Sequence, residues 1–216
     1  MCADEKILEN LMRCYPELEV CRTEIVRAYE ILETSFRAGG KLLLCGNGGS
    51  AADCEHIAGE LLKGFHKKRP LPDRERAGFE NLPDGQWIAD RLQGALPCIS
   101  LIGSPALRSA FVNDVDPLLD YAQLVYGYGR PGDVLLGIST SGNAANVRYA
   151  VITAKARGLM TIGLSGKDGG ELAKLCDCTV IVPSQETYRI QEYHLPIYHA
   201  LCAMLEEAFF DVTASE

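Results

Sequence analysis

Two kinds of apolar spacing divide the chain. Over residues 4–38 the apolar positions fall at helical intervals: Ile7, Leu8, Leu11 and Met12, then Ile25, Ala28, Tyr29, Ile31 and Leu32. Residues three or four apart share one helix face, so the pattern predicts amphipathic helices. Pro16 separates two of them, because its ring removes a donor and clashes with the turn before it. Gly39 and Gly40 stop the second. From residue 41 the spacing changes. Five short continuous apolar runs follow, each closing on Gly, Ser or Pro: KLLLCG (41–46), CISLIG (98–103), VLLGIS (134–139), MTIGLS (160–165) and CTVIVP (178–183). Such runs fit strands buried on both faces, as in a parallel sheet. Helical patterns fill the intervals at about 50–65, 105–127 in pieces, 143–157 and 169–175, and a last long helix covers about 185–210. Alternating strands and helices predict βαβ crossovers and a three-layer α/β domain.

Residues 66–97 break the alternation. This stretch holds HKKRPLPDRER, then Gly, Pro and Asp, then the single tryptophan, Trp87. It is too long for a plain strand connection and reads as a long insertion: a lid, a subunit-packing arm or a surface excursion, with a short helix near 86–94. At 216 residues the protein makes one domain, with a helical arm at about 4–38 and a core at about 39–216. No run approaches the ~18 apolar residues of a membrane span. MCADEKILEN has neither the basic start nor the apolar middle of a secretion signal. The expectation is a cytoplasmic protein. A net charge of −8 argues against direct nucleic-acid binding, which needs a basic footprint. It leaves room for an anionic small molecule at a locally positive site. The nine cysteines, odd in number and scattered, read as reduced thiols; the C-x-C of Cys176 and Cys178 has no second pair at zinc-ligand spacing and reads as structural.

In open parallel sheets, ligands bind beyond the carboxyl ends of the strands. Two segments fall there: GNGGS, with Asn47, Gly48, Gly49 and Ser50, and STSGN, with Ser139, Thr140, Ser141 and Asn143. Each puts small or hydroxyl-bearing residues at a helix N-terminus, where free N–H groups and the positive helix end suit a phosphate. Neither segment fits G-x-G-x-x-G or G-x-x-x-x-G-K-[ST], so a dinucleotide or a nucleoside triphosphate is a poor fit and a phosphorylated metabolite remains. His56 and Glu60 are four apart and share a helix face; Gln191 and His199 are eight apart on the last helix, about 80° around it. A carboxylate and an imidazole beside a phosphosugar suit aldose–ketose isomerisation, in which protons move on carbon and on oxygen. The same four side chains are N and O donors for a divalent metal such as zinc. The sequence leaves these roles open, and they are compatible.

GNGGSAADCEHIAGEL, GDVLLGISTSGNAANV, GLSGKDGGELAKLCD and RIQEYHLPIYHALC together resemble the sugar isomerase (SIS) domain family, and within it the phosphoheptose isomerase branch. The likeness runs over nearly the whole sequence. It implies an αβα sandwich with a five-stranded parallel sheet and a homotetramer whose active sites lie between subunits. It implies phosphate binding through Ser50, Ser139, Thr140 and Ser141, with catalytic Glu60 and His199. Some members hold zinc through the set matching His56, Glu60, Gln191 and His199. The family's N-D pair falls on Asn113 and Asp114. The implied reaction interconverts sedoheptulose 7-phosphate and an aldoheptose 7-phosphate through an enediol. Two substrate-touching positions depart from the pattern: a serine is Ala144 here and an aspartate is Tyr188. That leaves open a different phosphosugar, or a non-catalytic relative that senses phosphosugars or associates with the bacterial replication initiator. A third expectation is a structural subunit of a larger assembly, since the N-terminal apolar stripe fits an oligomer interface.

Overall fold

The computed structural model describes residues 3–210. Two helices open the fold, α1 (Ala3–Cys14) and α2 (Arg22–Arg37), joined by a 3₁₀ turn that starts at Pro16. Then come β1 (Leu42–Gly46), α3 (Gly49–Leu62), the short α4 (Asp73–Arg76) and α5 (Gly85–Ala89), and β2 (Cys98–Ser100). After α6 (Pro105–Asp114) and α7 (Asp120–Tyr128), the pairs β3 (Val134–Ile138) with α8 (Ala145–Ala156) and β4 (Met160–Ser165) with α9 (Gly170–Leu175) follow. Strand β5 (Cys178–Ile181) and the long α10 (Thr187–Phe209) end the fold.

The five strands form one sheet in the order β2-β1-β3-β4-β5, with every neighbouring pair parallel. Strands β1 and β3 are buried at each position, as their unbroken apolar runs predict. Successive side chains point to opposite faces. Leu42, Leu44, Val134 and Leu136 therefore pack with Ile25, Leu32, Ile57, Leu61 and Leu201 on one side. Leu43, Cys45 and Leu135 pack with Tyr121, Val125, Val147 and Val151 on the other. The sheet is covered on both faces, giving the three layers. Strand order reverses between β1 and β3, so the loops leaving these neighbours part and open a crevice at their carboxyl ends.

Three expectations change. Leu8, Leu11 and Met12 are buried within the protomer's own core, with α1 packed along α10, so much of the N-terminal stripe is covered inside the subunit, while Ile7 and Ile31 are only partly buried. The run CISLIG gives only three strand residues before a 3₁₀ turn at Leu101–Gly103, because β2 is an edge strand and Leu101 turns into the second core. The short helix of the insertion is Gly85–Ala89, and Trp87 on it is exposed under the Arg91 guanidinium. The insertion is closed at its base by the Pro70–Gln93 bridge and the Gly94 N–H to Arg69 oxygen bond of 2.7 Å. All eight described cysteines are free; Cys176 and Cys178 are covered, and burial pushes their thiols up to about 12 and about 11. No helix among the described residues is long and apolar enough to cross a membrane.

Candidate active site

The crevice between β1 and β3 holds a cavity of about 360 Å³, lined by Asn47, Gly48, Gly49 and Ser50 from one loop and Ser139, Thr140, Ser141 and Ala144 from the other. Thr187 and Gln191 of α10 close it. Two glycines make this shape. Gly48 has φ +56°, which only glycine adopts cheaply, and turns the backbone into α3. Gly142 has φ +68°, and a Cβ there would strike the Gly169 carbonyl oxygen. A Cβ on Gly49 would strike the Gln191 amide, so that side chain lies directly against the loop. The two loops are tied by reciprocal bonds between Asn47 and Asn146, 2.8 and 3.0 Å. Helices α3 and α8 both begin here without a side-chain cap, leaving N–H donors and two positive helix ends toward the cavity. An anion such as phosphate is the ligand this lining suits.

A second cluster lies farther along the same two helices, α3 and α10. His56 Nε2 is 3.3 Å from Glu60 Oε1 and 3.4 Å from His199 Nε2. Gln191 and His199 are eight residues apart on α10, which is about 12 Å along a helix axis. The Glu60 side chain is only 13% exposed, and Lys63 Nζ reaches its other oxygen at 3.1 Å. The His199 ring packs against His56, Tyr198 and Phe65. Burial, then the neighbouring His56, holds its imidazole below the ordinary value. Behind His56, its Nδ1 is 3.0 Å from the Tyr198 hydroxyl, which in turn donates to Asp53 Oδ1 at 3.3 Å.

The segment that follows α3 is fastened by a buried ion pair. Arg69 Nε donates to Glu206 Oε1 at 2.7 Å, and its other nitrogens donate to the Leu61 and Glu60 main-chain oxygens at 2.9 and 3.0 Å. Glu206 also accepts the N–H groups of Phe65, His66 and Lys67. Burial would raise the Glu206 carboxyl, but the N–H donors and Arg69 outweigh it and hold it below the usual range. The clamp thus holds the Glu60 end of α3 against α10.

Two SIS domain descriptions match the sequence, one over residues 109–206 and one over 9–99. The phosphoheptose isomerase of Nitratiruptor sp. is 39% identical over 95% of this protein and 97% of its own length. That of Rhodospirillum rubrum is 37% identical over 90% and 91%. This protein belongs to the SIS-domain family, close to its phosphoheptose isomerases. Solved structures agree: phosphoheptose isomerase GmhA from Neisseria gonorrhoeae superposes with a TM-score of 0.73 at 33% identity, covering 92% of this protein and 94% of that one. A phosphoheptose isomerase from Francisella tularensis gives 0.74 at 29%, covering 95% and 98%.

Within this SIS domain the residues singled out from sequence separate into groups. Asn47, Gly48, Gly49, Ser50, Ser139, Thr140, Ser141 and Gln191 meet at one cavity, while His56, Glu60 and His199 meet at the other cluster. Asn143 is outside the lining; its amide donates to the Ser141 oxygen and accepts the Glu171 N–H, bracing the start of α9. Asn113 and Asp114 end α6, a helix that buries none of its residues; they are exposed and bonded to each other at 2.8 Å. Ala144 lines the cavity, whereas Tyr188 is exposed and bonds Glu186. Sequence reasoning missed Asn146, Thr187, Asp53, Tyr198, Arg69 and Glu206. Asp53 stands one turn before His56, and Tyr198 beside His199, but nothing in the sequence says those turns face each other.

A tetrahedral zinc ion with bonds of about 2.0–2.1 Å spaces its ligands roughly 3.3–3.4 Å apart. The His56–Glu60 and His56–His199 separations match that edge, and imidazole and carboxylate are suitable donors. Among the described residues, no group of three or more His, Cys, Asp and Glu side chains forms a set able to hold a metal ion. The donor chemistry fits zinc; its closure into a complete ligand set is not present in this conformation.

Proposed function

We propose that the protein is an aldose–ketose isomerase that interconverts sedoheptulose 7-phosphate and D-glycero-D-manno-heptose 7-phosphate through an enediol. The observation that carries this reading is the placement of Glu60 and His199 around His56 on the two helices, α3 and α10, that also border the hydroxyl-lined cavity. Phosphate binds among Ser50, Ser139, Thr140, Ser141 and the free N–H groups. The sugar runs from there toward Glu60 and His199. Glu60 takes a proton from carbon 1 of the ketose and returns it to carbon 2, and His199 moves the proton between the two oxygens. Bond order shifts from carbonyl to enediol and back, so no redox partner is needed. His56, Glu60, Gln191 and His199 are the residues that would hold zinc, which would polarise the substrate carbonyl when bound. Relatives at 36–39% identity that are phosphoheptose isomerases support an enzyme rather than a sensor. A cytoplasmic homotetramer, with the sugar phosphate as its only other partner, completes the reading; light scattering tests the assembly.

Glu60→Gln keeps the shape and removes the base. Turnover is expected to fall ~10²–10⁴-fold while phosphosugar binding by calorimetry persists. Wild-type protein in deuterated water is expected to incorporate deuterium at carbon 1 of the ketose phosphate and at carbon 2 of the aldose phosphate. Binding without exchange would convert the reading to that of a phosphosugar sensor.

A further inference from the structure

The groups behind His56 form a continuous relay that the reaction itself does not require. Three hydrogen bonds define it: His199 Nε2 with His56 Nε2 at 3.4 Å, His56 Nδ1 with Tyr198 Oη at 3.0 Å, and Tyr198 Oη to Asp53 Oδ1 at 3.3 Å; Glu60 Oε1 lies 3.3 Å from His56 Nε2 but is not hydrogen-bonded to it. Tyr198 is almost fully buried, and Asp53 Oδ2 is buried with no partner in the protein. A neutral imidazole has one N–H and one lone pair, and the partner of one nitrogen decides the state of the other. A phenol has one proton to give. A carboxylate can only accept. The direction of every bond therefore follows from the buried end. Asp53 accepts the hydrogen bond of the Tyr198 hydroxyl, so the Tyr198 oxygen must accept from His56. Nδ1 of His56 then carries its N–H, and Nε2 is left with a lone pair. That lone pair accepts the N–H of His199 Nε2.

We propose that Asp53 and Tyr198 are positioning residues that lock His56 as the Nδ1–H tautomer, so that its Nε2 always presents a lone pair between Glu60 and His199. The geometry gives this lock a purpose. In the opposite tautomer His56 Nε2–H would donate to the Glu60 carboxylate and weaken it as a base. The His199 Nε2–H would also lose its acceptor. With the lock in place, Glu60 stays free of that bond and His199 is oriented by its neighbour. Burial, and after it the Asp53 charge, pushes the Tyr198 phenol well up, which keeps its single proton in place. The proposal deepens the reading of Glu60 and His199 as the acid–base pair and rests on it for its consequence, but the tautomer itself is observable without turnover.

The test is a two-bond ¹H–¹⁵N correlation spectrum of the full-length protein with ¹⁵N-labelled histidine. It is recorded near pH 8.5, about two units above the ordinary imidazole value, in chelator so that no metal dictates the tautomer. The protein has four histidines, and a His66→Gln variant helps assign them. The expected result is His56 wholly as the Nδ1–H tautomer. Tyr198→Phe, which keeps the ring and removes the hydroxyl, is expected to shift His56 to Nε2–H. It should lower kcat roughly 10–100-fold with KM little changed, the range seen when an outer partner of a site histidine is removed. An Nε2–H tautomer for wild-type His56, or an unaltered His56 pattern in Tyr198→Phe, overturns the proposal. If neither protein isomerises a phosphosugar but the tautomer shifts as described, the lock stands and the isomerase reading falls.

Discussion

The two ends of the site recognise by different means. At the phosphate end the working atoms are main-chain N–H groups and short hydroxyls, shaped by Gly48 and Gly142 at positive φ and by two helix starts. At the acid–base end they are side-chain atoms delivered by three separate stretches: α3, the segment at 64–70 and α10. The first end is built from two short runs of contiguous residues, Asn47–Ser50 and Ser139–Ser141, brought together by the neighbouring strands that carry them. The second depends on long-range contacts, such as Arg69 with Glu206, 137 positions apart in sequence. A local motif makes an anion site cheaply; positioning a base against an imidazole takes a tertiary clamp.

Cutting the clamp is the strongest way to test that contrast. Glu206→Ala leaves Arg69 and three N–H groups without their acceptor in a site that is 1% exposed or less on both partners. Stability is expected to fall by about 3–5 kcal/mol in denaturant titration, the cost of orphaning a buried charge. A loss under ~1 kcal/mol, the range of an exposed pair, would mean that the clamp does not hold α3 to α10.

Acid should act on α10 through a different residue. His194 of α10 is fully buried, bonds only the Ser165 oxygen, and burial holds its imidazole down at about 4. Its folded value lies below the ordinary 6.5, so the unfolded protein binds the extra proton between those values. Stability is therefore full above about pH 6.5 and is lost as the pH falls toward 4. The loss from this group is about 3 kcal/mol. His199 is shifted the same way and adds to the slope. His194→Gln should flatten the pH dependence of the unfolding midpoint over that window; an unchanged slope would remove His194 as its source.

The smallest effect belongs to the phosphate end. Gly142→Ala forces a side chain against the Gly169 carbonyl at a positive φ and should cost about 1–3 kcal/mol. It should raise the KM for the sugar phosphate more than it lowers kcat, since it deforms the anion loop and leaves Glu60 and His199 in place. Steady-state kinetics distinguish this from the Glu60→Gln pattern, in which the loss lies in kcat.

The elements followed from spacing because burial on both sheet faces demands unbroken apolar runs, and helices on a core demand a stripe. The two loops followed from strand-to-helix order, since the carboxyl end of a parallel strand is where backbone meets ligand. CISLIG misled because an apolar run does not reveal that its strand is at the edge and that Leu101 turns under the sheet. The N-terminal stripe left its partner open because an amphipathic helix does not say which apolar surface covers it; α10 of the same protomer covers Leu8, Leu11 and Met12. Asn146 and Thr187 escaped notice because polar residues near helix starts are common, and only the meeting of loops gives them a partner.

By itself the sequence determined what periodicity and short motifs encode: five buried strands, their helices, two anion-binding turns and a set of acid–base side chains. Those features depend on neighbours within a few residues, so spacing alone carries them. The tertiary structure alone decided that the Tyr198 hydroxyl meets both His56 and Asp53, that Arg69 and Glu206 hold α3 to α10, and that Asn143 braces a helix instead of lining the cavity. Those outcomes turn on the rotation and offset of packed helices, quantities set by the whole core rather than by any stretch of it.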